Sequence, residues 1–71
     1  MLDWLPTPES TRTAAIAYDA KQRVIHVEWP NGGHHFYLEC SESEWHEFSD
    51  PSTSKGGYLR AVLDHHTHMP A

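Results

Sequence analysis

Three groups of residues have types and spacings that could do chemistry. The first is the run Ser54-Lys55-Gly56-Gly57-Tyr58-Leu59-Arg60. Glycines at a helix start leave backbone amides open to an anion, and lysine adds charge. Lys55, Gly56, Gly57 and Arg60 could therefore hold a phosphate, including that of RNA. The run lacks the longer Gly-x-x-x-x-Gly-Lys-Ser/Thr loop, so no nucleotide hydrolysis is implied. Its other use is mechanical: Gly56 and Gly57 permit close docking of a helix onto a sheet, with Tyr58 packed beneath. Docking is the expected first role.

The second group is the histidines, seven in 71 residues, with His65, His66 and His68 close together. Side chains adjacent on a helix point about a third of a turn apart, so His65 and His66 cannot readily share an ion there. Structural zinc sites combine four ligands at set spacings. A single cysteine cannot supply a Cys-x-x-Cys pair, so capture of a metal by these histidines, with His34 or His35 added, is expected to be adventitious. No metal site is assigned. The third group is the thiol of Cys40, expected on an inner face as inert filler. Pairing it with histidine as a nucleophile needs a cleft for which so short a chain has little room. No catalytic residue and no cofactor are assigned, and the chain is read as a non-enzyme.

Such side chains need a frame, and the composition limits what it can be. A chain of 71 residues is one domain at most and near the lower limit for folding on a single core. One cysteine excludes an internal disulfide, which fits a reducing cytoplasm. No apolar run approaches the roughly 20 residues that span a bilayer, and the first ten residues lack the pattern of a secretory signal. A soluble cytoplasmic protein is expected. Five basic against ten acidic residues give a formal charge of −5, unfavourable for a general nucleic-acid binder.

Residues 1–9 carry Pro6 and Pro8, which forbid a continuing helix, and are read as an N-terminal arm that Trp4 could pin to its own domain or to a partner. Residues 10–66 form the domain and 67–71 a tail. Residues 13–19, 23–29 and 34–40 read as strands, with turn residues between the first two and Asn31-Gly32 as a hairpin signal before the third. Ser41 followed by Glu44 is a capping-box pattern opening a helix over residues 41–48, and Asp50-Pro51 ends it. A second helix over residues 57–66 has Ser54 as its cap. The fold expected is α+β: a three-stranded antiparallel β-meander with one or two short C-terminal helices packed on one face.

Alternation then assigns sides. If Trp29 faces His34, Val27 lies opposite Phe36 and Ile25 opposite Leu38; on the other hairpin Ile16 faces Ile25. Ile16, Tyr18, Ile25, Val27, Trp29, Phe36, Leu38 and Cys40 would share the covered side. His26, His35 and Tyr37 would lie on the open side, beside Ala15 and Ala17, as a shallow platform for a flat or extended partner. Aromatic residues on an open sheet stack bases in several RNA-binding modules, although cross-strand pairing alone also accounts for them.

The order of these pieces resembles the KTSC family, which takes its name from a C-terminal domain of some lysyl-tRNA synthetases and also occurs as small stand-alone proteins in bacteria and their phages. The residues that carry the resemblance are Ser10-Thr11, Ile16-Ala17-Tyr18-Asp19, His35-x-Tyr37 and Ser54-Lys55-Gly56-Gly57-Tyr58-Leu59-Arg60. His35 stands where similar members carry the first tyrosine of a Tyr-x-Tyr, and Asp64 where many place an arginine. The resemblance implies the fold, and RNA binding is the suggestion attached to the family, whose function is not established. Two readings stay open: a binding module for a protein partner through His26, His35 and Tyr37, one version being a phage-encoded modulator of a host protein; and an RNA or tRNA binder using Lys55, Gly56, Gly57 and Arg60 as well. A monomer or weak homodimer is expected.

Overall fold

The structure is a computed structural model and describes residues 2–71; Met1, the first residue of the expected arm, lies outside the described residues. The elements run β1 (Leu5–Pro6), β2 (Ala15–Asp19), β3 (Val24–Glu28), β4 (His34–Tyr37), α1 (Glu42–Ser49), α2 (Lys55–Ala61), a 3₁₀ turn (Leu63–His65) and β5 (His68–Pro70). The strands form one sheet in the order β1-β2-β3-β4-β5, each antiparallel to its neighbour. The α+β class and the meander agree with the sequence. The count of three strands does not: there are five.

The two additional strands come from the segments read as arm and tail. β1 is two residues long and β5 three, and each contains a proline, so neither carries an alternating pattern. Their extended geometry follows from pairing with β2 and β4, whose outer amides and carbonyls would otherwise be open. Proline is tolerated in such edge strands. The N-terminal segment is tied down further: buried Thr7 and Thr13 meet hydroxyl to hydroxyl at 2.6 Å, and the Thr7 amide donates to the Ala14 carbonyl at 3.0 Å.

Register decides which side chains share a side. In the first hairpin Ile16 lies opposite Val27 and Tyr18 opposite Ile25. This is two residues away from the expected pairing, and an even shift leaves every side chain on its expected side. In the second hairpin Ile25 pairs with Tyr37, His26 with Phe36, Val27 with His35 and Glu28 with His34. That shift is of one residue, and it reverses β4.

The cause is local. The Gly32 amide donates to the Trp29 carbonyl at 2.9 Å, and the Trp29 amide donates to the Gly33 carbonyl at 2.8 Å. Gly32 has φ +93° and stands as the extra residue of a bulge after a tight turn. The connection therefore holds an odd number of residues where an even one was expected. Tyr37 consequently belongs to the buried core, and Phe36 shares the other side with His26. At Glu39, φ +57° breaks the alternation again, and Cys40 returns to the core as expected.

The core joins Ile16, Ile25, Val27, Tyr37 and Cys40 to Phe48 of α1, Leu59 of α2 and Leu63 of the 3₁₀ turn. The capping box opens α1 as the sequence predicts: the Ser41 hydroxyl accepts from the Glu44 amide at 3.0 Å, and Glu44 Oε1 accepts from the Ser41 amide at 2.8 Å. Ser54 caps α2 by accepting from the Gly57 amide at 3.1 Å. Tyr18 stacks on Trp45 at 5.6 Å, and its hydroxyl donates to the Cys40 carbonyl. Among the described residues no helix is long and apolar enough to cross a membrane.

The turn geometry gives a direct test. A Cβ at Gly32 would meet nothing within 4 Å, so a substitution there acts through the backbone alone. Gly32→Ala is expected to lower the unfolding free energy by about 1–2 kcal/mol. Gly32→Asn, whose side chain tolerates positive φ better, should lower it by less. Urea denaturation of the three proteins measures the order.

Candidate functional site

The reversed β4 divides the expected platform between the two sides of the sheet. His26 stays on the outer side, where it was placed, half-buried on β3. Tyr37 does not: it is 2% exposed inside the core, and burial, with Asp64 adding to it, pushes its phenol up to about 12. His35 lies on the same side as Tyr37, against Trp29 and with its Nε2 3.0 Å from His68 Nδ1. A surface built from His26, His35 and Tyr37 together therefore does not exist.

The outer side carries a different set. His34 and Phe36 join His26 there, Met69 lies opposite Phe36, and Glu28 lies opposite His34. His26 Nδ1 and His34 Nε2 are 3.1 Å apart. Trp4 reaches over them from the segment before β1, meeting His34 edge-on at 5.4 Å and His26 at 6.2 Å. Ala17 is wholly buried although it lies on this side, so the face is only partly open. Trp4, Glu28 and His34 line a hollow of about 280 Å³. Trp4 and Met69 remain 41% and 39% exposed. The missed residues, Trp4, His34, Phe36 and Met69, became visible only once the turn parity and the edge strands were known.

The residues read as an anion site are placed otherwise. Lys55 is 3% exposed, and its ammonium donates to the Asp50 carbonyl at 2.9 Å and the Thr53 carbonyl at 3.0 Å, with Glu9 3.9 Å away. Its charge closes the connection between the helices. A Cβ on Gly56 would lie 2.9 Å from Arg12 Cγ, so glycine is needed where the Arg12 stem crosses the start of α2. Gly57 gives its amide to the Ser54 cap, and Arg60 is exposed in the last turn of α2. The segments 9–12 and 53–56 nevertheless meet, around a hollow of about 260 Å³. Two motif segments far apart in sequence are neighbours there.

The C-terminal histidines do not converge. His68 turns to His35, His65 ends the 3₁₀ turn, and His66 points inward. The His66 Nε2 lies 2.8 Å from Glu44 Oε2 and its Nδ1 2.8 Å from the Leu38 carbonyl. Both ring nitrogens thus face acceptors, the arrangement of an imidazolium. Burial alone would lower its pKa, but the bonds to Glu44 and Leu38 outweigh it and hold the value above the usual one. For Glu44 burial acts upward, and the bonds from Ser41 and His66 carry the carboxyl below its ordinary range. Cys40 Sγ sits 3.9 Å from His66 Nδ1. Burial pushes this thiol up to about 11. A neutral thiol beside a ring with no free lone pair is not arranged for nucleophilic attack. Cys40, Glu44 and His66 form a group of three metal-ligating types within 4.8 Å.

Fold and surface together define a small α+β domain with a five-stranded meander, two short helices and an aromatic outer face. The KTSC domain family model matches residues 9–66, and the chain belongs to that family. The structure is similar to the crystal structure of a KTSC domain protein from Yersinia pestis, with a TM-score of 0.88 over 100% of this chain and 99% of that one, at 22% identity. That likeness concerns the fold. No curated protein matches the chain.

Two outcomes follow. Lys55→Met should cost about 1–3 kcal/mol in chemical denaturation, because it leaves the Thr53 carbonyl without its donor and removes one of the two donors to the Asp50 carbonyl, the other being the Thr53 amide at 3.0 Å. Burial, and then the histidine neighbours, lower the pKa of His26 and His35. A lowered histidine pKa means that the unfolded chain binds more protons, so this stability is full above the unfolded value of about 6.5 and is lost as pH falls through the folded value. His66, held above its ordinary value, acts in the opposite sense, so the check is a difference: on acidification across that window the change in melting temperature of His26→Asn should be less downward than that of the wild type.

Proposed function

We propose that this chain is a small non-enzymatic binding module that recognises a protein partner through the outer side of its sheet, with Trp4, His26, His34, Phe36 and Met69 as the contact residues. The observation that carries this reading is the exposure of Trp4 and Met69 at 41% and 39%, flanking half-buried His34 and Phe36 on a sheet side that no residue of the described core cluster from α1 or α2 shares. Aromatic and methionine side chains with few charges are the usual make-up of the centre of a protein interface. His26, its pKa lowered, is mainly neutral near pH 7, which suits burial against a partner. The family membership supports a compact domain and leaves the partner's identity to experiment.

RNA binding is the weaker reading. The sheet positions that register places on the outer side, from Pro6 and Ala15 to Phe36 and Met69, include neither lysine nor arginine. Lys55 is committed to carbonyls. Phosphate contacts would need free cations beside the aromatic residues.

Affinity capture from a cell lysate distinguishes the two. The wild-type chain should enrich a defined protein, and His34→Ala with Met69→Ser should weaken that capture at least tenfold, in the range of a lost interface anchor. Arg60→Ala should leave it unchanged. Equal capture by all three proteins, or none by any, would remove the proposal. Binding of short RNA at low salt that falls steeply as salt rises would favour the other reading.

A further inference from the structure

Between the end of β4, the first turn of α1 and the chain after the 3₁₀ turn, three different donor atoms face one another. Cys40 Sγ is 3.9 Å from His66 Nδ1 and 3.7 Å from the Leu38 carbonyl oxygen, and that oxygen is 2.8 Å from His66 Nδ1. Bond lengths of about 2.3 Å to sulfur and 2.0–2.1 Å to nitrogen or oxygen put tetrahedral ligands around zinc roughly 3.3–3.6 Å apart. The two sulfur separations are within a few tenths of an ångström of that range. The third opens into it when the imidazole swings away from the carbonyl by about half an ångström.

We propose that Cys40 Sγ, His66 Nδ1 and the Leu38 carbonyl form a site for one borderline-soft divalent ion of the zinc class, with Glu44 as the residue that positions the imidazole. This site lies apart from the outer sheet face and is independent of the partner reading. The ligand types are those zinc takes, a thiolate, an imidazole and an oxygen. Glu44 Oε2, 2.8 Å from His66 Nε2, supplies the carboxylate–histidine–metal arrangement that keeps the proton on Nε2 and directs the Nδ1 lone pair at the ion. Its other oxygen is held by the Ser41 amide, so the capping box fixes the carboxylate in place.

The exchange balances. The ion enters as M²⁺, the Cys40 thiol and the His66 Nδ1–H each give up one proton to solvent, and the sum of charge in the site is unchanged. The net charge of the site is therefore unchanged on binding, and the desolvation of the ion and the thiolate is offset by the bonds between them. Entry is from the side of His66 and Glu44, whose side chains are 17% and 26% exposed, since Cys40 is closed to solvent. Three protein ligands leave a fourth position for water or for a donor from elsewhere.

Cobalt(II) replaces zinc in such sites and reports its ligands. Titration of the full chain with Co²⁺ should saturate at one ion and produce the near-ultraviolet charge-transfer band of a cobalt–thiolate bond. Zn²⁺ should then displace the band and raise the melting temperature. Cys40→Ser and His66→Gln should each abolish the band, with folding checked by far-ultraviolet circular dichroism. Glu44→Gln keeps a capping-box residue at its position, so the fold should hold while the band survives and the dissociation constant rises 10- to 100-fold. His26→Asn with His34→Asn, which removes the outer histidine pair, should leave the band intact. Absence of a thiolate band in the wild type, or its persistence in His66→Gln, would overturn the site. An unchanged dissociation constant in Glu44→Gln would overturn the positioning role.

Discussion

The connection between β3 and β4 is the constraint on which the surface of this molecule depends. With Gly32 at φ +93° as a bulge residue, the turn holds an odd count, and each side chain of β4 takes the side that the count dictates. Tyr37 enters the core, and His34 and Phe36 go out to meet His26. One left-handed residue thus sets the composition of both faces. Burial of Tyr37 in turn pushes its phenol up to about 12.

A second chain of dependence runs through Glu44. Its Oε1 closes the start of α1 by accepting from the Ser41 amide, and its Oε2 reaches His66, 22 residues away along the chain but 2.8 Å distant in space. His66 in turn meets the Leu38 carbonyl, and the Leu38 amide donates to the Thr67 carbonyl at 2.8 Å as β5 begins its pairing with β4. The helix cap, the end of the central sheet and the C-terminal edge strand are therefore joined by a single polar path. Hydrogen bonds to charged groups contribute more than neutral ones, and this path is half-buried, where they are screened least.

The Lys55 region shows how a motif that looks like a ligand site can be a structural device. A lysine followed by two glycines offers charge and open amides, yet the ammonium is consumed by the Asp50 and Thr53 carbonyls and Gly56 makes room for Arg12. Those bonds satisfy the Thr53 carbonyl and reinforce the bond from the Thr53 amide to the Asp50 carbonyl, in a loop that has no sheet or helix partner for either. What the sequence could not display was distance: nothing in the local pattern distinguishes a lysine facing a phosphate from one facing two carbonyls five and two residues before it.

The amino-acid sequence by itself determined the elements whose signals are local. Alternation in residues 15–28 made a hairpin, Ser41 with Glu44 made a capping box, and Ser54 capped the second helix. Side assignments in β2 and β3 were legible because an even error in register changes nothing. The order of motifs was enough to reach the KTSC family. Tertiary structure alone decided the rest. β1 and β5 are strands only because a neighbour's edge is there to pair with, the parity of β4 hangs on one glycine's dihedral angle, and Cys40, Glu44 and His66 meet only after α1 and the C-terminal segment have folded back on the sheet. Local propensity can specify a turn or a cap; contacts between distant segments depend on how the whole chain closes.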